Sequence, residues 1–312
     1  MDLIVEWQAA VAAWLHEPVE IADIEEIRDW SSSRVLRITA KAGAANHTLY
    51  AKLAREGLAR ELAVYQLAAQ VPGFPAPPAS CCVIDGEPWL LLQQALGEQL
   101  YLTRNPAQYQ AAAEALADFH EQSGRSGLAA QASGLPNVLA EIGRLVGTVW
   151  DQVRAQLTSG CFTGVEHELL ADVEERLLWD WSAIHGVLEC YPLTLLHGDS
   201  HSGNVFITGG QIQMVDWATA AIGPGLLDLV GLVDTSLRMN EPLGDVAALR
   251  EAYWARLSDD SRRRYACLGE SWQILRICRS LLELDWFARS GDGYGARTNR
   301  ELRIISEALR TL

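Results

Sequence analysis

Asp199, Asn204 and Asp216 are the residues whose types and spacing could perform chemistry as a set. The first two stand in Leu195-Leu196-His197-Gly198-Asp199-Ser200-His201-Ser202-Gly203-Asn204, the third in Val215-Asp216-Trp217. Between these segments lie Val205-Phe206-Ile207-Thr208 and Gln211-Ile212-Gln213-Met214-Val215, separated by Gly209-Gly210, a strong cue for a two-residue hairpin. A hairpin there folds back and carries Asp216 to the other two. Phosphoryl transfer needs such a set. One carboxylate accepts or orients the proton of the attacking hydroxyl, while an amide oxygen and a second carboxylate hold Mg²⁺ against the phosphates of a nucleotide. The alternative for the same residues is an ordinary Asp/Asn capping turn.

The spacing His-x-Asp-x-x-x-x-Asn matches the kinase catalytic-loop pattern at all three fixed positions, and Asp216 stands where the metal-binding Asp of Asp-Phe-Gly would stand. Together with Val215-Asp216-Trp217 and Gly223-Pro224-Gly225-Leu226-Leu227-Asp228-Leu229, these residues resemble the aminoglycoside phosphotransferase/choline kinase family, small-molecule relatives of protein kinases. The resemblance runs from about Asp23 to about Asp234. It implies Asp199 as catalytic base, Asn204 and Asp216 as Mg²⁺ ligands, and Asp228 as a support for the loop backbone. It makes His197 an orienting residue packed under the loop. His201 occupies the place where protein kinases carry a Lys, and either faces the transferred phosphoryl group or braces the loop.

The remaining nucleotide contacts belong upstream. Leu49-Tyr50-Ala51-Lys52-Leu53 is comparable to the Val-Ala-Ile-Lys strand whose Lys reaches the α/β-phosphates. Glu61 is the carboxylate expected to hold Lys52, with Glu56 as a competing partner because the gap to Glu61 is short. Where protein kinases place a glycine-rich loop, this chain has Asp29-Trp30-Ser31-Ser32-Ser33-Arg34. The backbone amides of Ser31, Ser32 and Ser33 can still bind phosphate, but the choice between ATP and GTP stays open. Backbone groups of Gln93 and Ala95, in the linker Leu92-Gln93-Gln94-Ala95, should face the purine edge.

These groups need elements to position them. Apolar periodicity predicts an opening helix from Leu3 to Leu15, strands at Ile21 to Ile27, Arg34 to Ala40 and Thr48 to Leu53, and a helix from Arg55 to Gln70. Two more strands follow, Ser80 to Ile84 and Trp89 to Gln93, on either side of the turn Asp85-Gly86-Glu87-Pro88. Beyond Ala95-Leu96-Gly97-Glu98 the pattern turns helical: Pro106 to Gln122, Leu135 to Leu157, Val165 to His185, Val246 to Ala255, Asp260 to Ser290 and Asn299 to Leu309. The expected fold is α+β and protein-kinase-like in two lobes: an antiparallel-sheet nucleotide lobe, residues 1–94, and a larger helical catalytic and substrate lobe, residues 95–312.

Composition bounds the function classes. The 312 residues are 49% hydrophobic and 21% charged, too apolar for a disordered chain and enough for two cores. Lys and Arg number 25 against 40 Asp and Glu, a net charge of −15, which argues against nucleic acid or an anionic membrane as partner. The six cysteines form no Cys-x-x-Cys pair, as in a reducing compartment. The segment Met1 to Trp7 carries acid where a signal peptide needs base, and no apolar run approaches the ~20 residues of a membrane span. A cytoplasmic monomer or homodimer is expected.

The acceptor wall should come from the helical lobe. Its candidates are Asp234, the pair Glu283 and Asp285 beside Trp286, and the acidic run Glu166-His167-Glu168 to Glu174-Glu175, which reads equally as a solvated face. Acids lining the cleft would suit an amine-bearing acceptor. Trp179, Trp181, Trp254 and Trp272 read as core rather than as an aromatic cage. The expected reaction moves the γ-phosphoryl group of ATP, or GTP, to a hydroxyl of a small, amine-bearing acceptor such as an aminoglycoside or another antibiotic. A metabolite kinase acting on choline, homoserine or a sugar is the alternative, and a nucleotide-binding pseudoenzyme is the alternative of another class. No Ala-Pro-Glu follows Asp216, and Asp228 follows too soon for a long activation loop, which disfavours protein substrates.

Overall fold

The computed structural model describes residues 3–55, 57–68, 71, 73–127, 134–265, 267–290 and 293–312. Five antiparallel strands form the first sheet in the order β1-β2-β3-β5-β4: β1 (Val19–Asp29), β2 (Ser33–Ala42), β3 (Ala45–Ala54), β4 (Ala79–Ile84) and β5 (Glu87–Gln93). Side chains on a strand alternate between faces, and here the two faces meet different partners. Leu36, Ile38, Leu49, Ala51 and Leu91 are buried with Trp7 and Val11 of helix α1 (Leu3–Leu15), where Trp7 meets Trp89 edge-on at 5.1 Å. The opposite face carries Lys52, Leu90 and Leu92 and belongs to the cleft side, with Leu90 and Leu92 joining the larger core. Helix α2 (Leu58–Ala68) follows β3.

The hairpin forms as its glycines require. Strands β8 (Val205–Thr208) and β9 (Gln211–Met214) are joined by Gly209 and Gly210 at φ 56° and 80°, a backbone twist that only a two-residue turn with positive φ at both positions supplies cheaply. Strand β6 (Glu98–Gln99) adds to β8, and helix α3 (Leu100–Thr103) follows it directly. Two short strands without a sequence signal, β7 (Leu193–Leu196) and β10 (Ala221–Pro224), pair antiparallel and bracket the loop.

The helices are α4 (Pro106–Arg125), α5 (Val138–Thr158), α6 (His167–Leu188), α7 (Leu226–Arg238), α8 (Val246–Arg256), α9 (Asp259–Arg264), α10 (Leu268–Ser290) and α11 (Gly295–Thr311). Three features differ from expectation. Helix α7 lies where no helix was expected, and it is buried continuously from Leu226 through Val233. The segment expected as one helix from Asp260 to Ser290 is two, the first capped by Ser258, whose side chain accepts from Ser261 N–H. Trp179, expected in the core, is 87% exposed, whereas Trp272 is buried.

Candidate active site

The loop between β7 and β8 is held from below by one carboxylate. Asp228, in the first turn of α7, accepts from the backbone N–H of His197 at 2.7 Å and of Gly198 at 2.9 Å, one oxygen each, while Ser200 Oγ donates to its carbonyl at 2.6 Å. His120 Nε2 stands 3.3 Å from Asp228, and His120 Nδ1 lies 2.8 Å from the Tyr253 hydroxyl, forming a buried chain. Burial alone would raise the Asp228 carboxyl, but the bond from His120, the His120 and His197 rings and the loop amide hold it below 3.8. Gly198 has φ +81°, and a Cβ there would lie 2.2 Å from the Thr219 carbonyl oxygen, so no other residue fits the turn.

His197 joins the two halves of the site. Its buried ring accepts from Asp199 N–H at Nδ1, 3.2 Å, and so donates from Nε2 to the Val215 carbonyl at 2.9 Å. This tautomer is neutral, in keeping with the burial that lowers its pKa from 6.5. The ring also packs 4.6 Å from Trp217.

Asp199 is left as the loop's half-exposed carboxylate. Asn204 Nδ2 donates to its carbonyl at 3.0 Å and lies 3.4 Å from its Oδ2. His201 Nε2 stands 3.7 Å from Asp199 Oδ2, while His201 Nδ1 accepts from Gly203 N–H at 3.1 Å, a bond that braces the loop. Arg279 of α10 donates to the Gly198 carbonyl at 2.8 Å and to Glu283 at 2.6 Å, and lies 3.6 Å from Asp199 Oδ1.

Across the cleft, Lys52 Nζ donates to both oxygens of Glu61, at 3.0 and 2.8 Å, and to Asp216 Oδ1 at 2.7 Å. The nine-residue gap is bridged because α2 starts at Leu58, right after Gly57, whose φ is +70°. Glu56, the competing partner, lies outside the described residues. Burial pushes the Glu61 carboxyl above 4.5 against the pull of Lys52, whereas for Asp216 burial is outweighed by Lys52 and Arg28 and the carboxyl falls below 3.8. Asp216 itself takes the left-handed conformation, φ 68° and ψ 62°. Arg28 Nη2 reaches Asp216 Oδ2 at 3.2 Å and Ser33 Oγ at 3.2 Å.

The turn Trp30 to Ser33 is closed by Trp30 N–H to the Ser33 carbonyl, 2.9 Å, and tied to β3 by Arg55 N–H to the Ser32 carbonyl, 2.9 Å. Ser31 is exposed, Ser32 half-buried and Ser33 buried. Gln93 N–H donates to the Pro78 carbonyl at 3.0 Å, so the linker offers the cleft other groups than that amide. Ala95 is buried, and the next residue, Leu96, donates its N–H to Gln213 of β9 at 2.6 Å.

The acidic acceptor candidates are neutralised by arginines. Asp234 is largely buried and lies 3.4 Å from Arg276 Nε; burial raises its carboxyl from 3.8 despite Arg276, Arg300 and Arg279. Asp285 is buried and paired with Arg289 at 2.6 Å. Asp234, Arg279, Glu283, Arg300 and Glu301 line one small polar cavity. Arg28, His120 and Arg279 carried no signal as separate letters in the sequence; only the pair Arg279 and Glu283, one helical turn apart, was there to be noticed.

Asn204 and Asp216 fit a hard cation. Asn204 commits its amide nitrogen to Asp199, which leaves Oδ1 as its ligating atom, and its carbonyl accepts from the N–H of Val215, the residue before Asp216, at 3.0 Å. One carboxylate and one amide oxygen, completed by phosphates and water, is how Mg²⁺ is held in nucleotide sites. A carboxylate able to take a hydroxyl proton, standing next to such a cation site and a buried Lys–Glu pair, can support in-line phosphoryl transfer.

Residues 23–267 match the model of the phosphotransferase enzyme family. No curated protein matches the sequence. Among solved structures, aminoglycoside phosphotransferase APH(4)-Ia is similar with a TM-score of 0.64 at 13% identity, covering 98% of each chain. A thermostable mutant of the same protein, in ternary complex with ADP and hygromycin B, superposes with a TM-score of 0.58 at 14% identity, over 96% of this chain and 98% of that one. Choline kinase from Cryptosporidium parvum Iowa II gives 0.61 at 12% identity, over 94% and 90%.

Proposed function

The chain belongs to the phosphotransferase enzyme family, and we propose that it transfers the γ-phosphoryl group of ATP, with GTP as a possible donor, to a hydroxyl of a small molecule. The observation that carries this reading is that Lys52 bonds both Glu61 and Asp216, Asn204 bonds Asp199, and His197 links the two groups through the Val215 carbonyl and Asp199 N–H. In the division of labour, residues 1–94 supply the phosphate grip through Lys52, and residues 95–312 supply the base and the acceptor wall. Asp199 orients and accepts the proton of the attacking hydroxyl. Its carboxylate is set by Asn204 and Arg279, and its backbone by His197. Mg²⁺ held by Asn204 and Asp216 would neutralise the charge on the phosphates.

For the acceptor, an amine-bearing antibiotic is supported by the similarity to a protein solved with ADP and hygromycin B. A specific observation favours the metabolite alcohol as second reading: Asp234 and Asp285 already carry arginine partners, so neither presents an uncompensated charge to a polycation. A Mg²⁺-dependent phosphorylation screen with ATP and GTP over aminoglycosides, other antibiotics, choline, homoserine and sugars tests the assignment. Phosphate transfer to a hydroxyl of one class is the expected result. A chain that binds no Mg-nucleotide and phosphorylates nothing is not a kinase of this kind.

A further inference from the structure

A second cation reaches Asp216, and a fault in strand pairing puts it there. Where β1 pairs with β2, Glu26 stands opposite Leu36 and Arg28 opposite Val35, so Ile27 is an extra residue and the strand bulges. Residues directly opposite share a face of the sheet. Val35 pairs in turn with Lys52, and Lys52 with Leu90, so Arg28 and Lys52 occupy one row, two strands apart, about 10 Å between backbones. In an unbulged ladder Ile27 would take that place, and Arg28 would turn to the face packed on α1.

The bulge gives Asp216 one cation per oxygen, but the two are held unequally. Lys52 is buried and gripped by both oxygens of Glu61. Arg28 keeps 28% of its side chain exposed and, besides Asp216, among the described residues bonds only the neutral hydroxyl of Ser33. Its guanidinium lies 4.6 Å over the ring of Trp30, which is itself 60% exposed at the tip of the turn. Its Nε is buried without a hydrogen-bond partner, so the guanidinium fork is incompletely used in this state. A positive charge arriving at Asp216 must displace one of the two, and Arg28 is the one with less to lose.

We propose that Arg28 is a nucleotide-phosphate ligand: it caps Asp216 while the cleft is empty and turns to the terminal phosphate of a nucleoside triphosphate when a divalent cation takes that carboxylate. This rests on the nucleotide-dependent reading above. The terminal phosphate is the target because Asp216 follows Val215, whose N–H donates to the Asn204 carbonyl at 3.0 Å, and a cation shared by Asn204 and Asp216 is held against the transferred group. A guanidinium matches two phosphoryl oxygens at once, and here it would stand in for the glycine-rich cradle that the Trp30 to Ser33 turn lacks.

The test uses the full chain and three titrations. Calorimetry with Mg·AMP-PNP and with Mg·ADP compares wild type, Arg28→Gln and Arg28→Lys, and water-proton relaxation follows Mn²⁺ binding without nucleotide. Arg28→Gln should weaken AMP-PNP about tenfold or more, change ADP by less than about threefold, and tighten Mn²⁺ alone, with Lys recovering part of the AMP-PNP loss. Opposite signs for the cation and the triphosphate are what a merely structural side chain would not produce. Equal losses for both nucleotides, no loss, or weaker Mn²⁺ binding overturn the proposal while leaving the kinase reading in place. A wild-type chain that binds neither nucleotide overturns both.

Discussion

Arg279 Nη2 lies 3.6 Å from Asp199 Oδ1, while the same guanidinium donates to the carbonyl of Gly198, the residue before Asp199. Glu283, one turn along α10, fixes the guanidinium from behind. The proposed base is thus positioned from a helix that begins far downstream of the loop. Arg279→Gln should lower kcat about tenfold to a hundredfold with nucleotide affinity unchanged, because the phosphate grip is built from other residues. Steady-state kinetics beside calorimetry checks this; a change confined to nucleotide affinity would place Arg279 elsewhere in the mechanism.

Lys52 and Glu61 should behave as one unit in stability. Glu61 is fully buried, so Lys52→Met strands a carboxylate that burial already pushes above 4.5, a loss of about 3–5 kcal/mol. The double variant Lys52→Met/Glu61→Gln should recover much of that loss without recovering activity. Urea unfolding of the two variants separates this outcome from simple additivity.

Acid should weaken the site's scaffold in two windows. The His197 pKa is lowered from 6.5, so its native ring stays neutral; the unfolded chain takes the proton first, and stability falls as pH drops below 6.5. Asp228 is lowered from 3.8, so its contribution is complete above 3.8 and is lost as pH falls through its native value. Stability against pH, measured by urea unfolding, should lose up to about 1.4 kcal/mol per unit from His197, a slope that His197→Asn removes. Asp228→Asn should flatten the lower window while costing about 3 kcal/mol at neutral pH, since an amide cannot accept both loop N–H groups.

Gly198→Ala offers a check on the backbone alone. Its Cβ would meet the Thr219 carbonyl at 2.2 Å in a left-handed conformation, so the loop must shift. Turnover should fall at least about a hundredfold, while nucleotide binding through Lys52 falls less. Full activity would mean that the loop tolerates a different path.

The legible part of this molecule was what spacing encodes. The hairpin at Gly209-Gly210 and the Asp199–Asn204 contact are close in sequence, and the hairpin returns Val215, next to Asp216, to the Asn204 carbonyl. Lys52 and Glu61 were legible as letters, and their pairing was realised because Gly57 lets α2 begin at once. Helix α7 was not among the expected helices, although Leu226 to Arg238 carries a helical apolar period. Arg28 was hidden because its face depends on a bulge, and a one-residue slip reverses every side chain beyond it. The charges of Asp234 and Asp285 were visible, but the arginines that neutralise them come from tertiary packing and helix phase.

Asp199 is proposed as the base of a nucleotide-dependent phosphotransferase, and Asp199→Asn probes that role. With an acceptor found by the screen, Mg·ATP affinity measured by calorimetry should stay within about threefold of wild type while single-turnover phosphate transfer falls about 10²–10⁴-fold. Transfer at a near-normal rate, with nucleotide bound as before, would contradict the account and place the base on another residue.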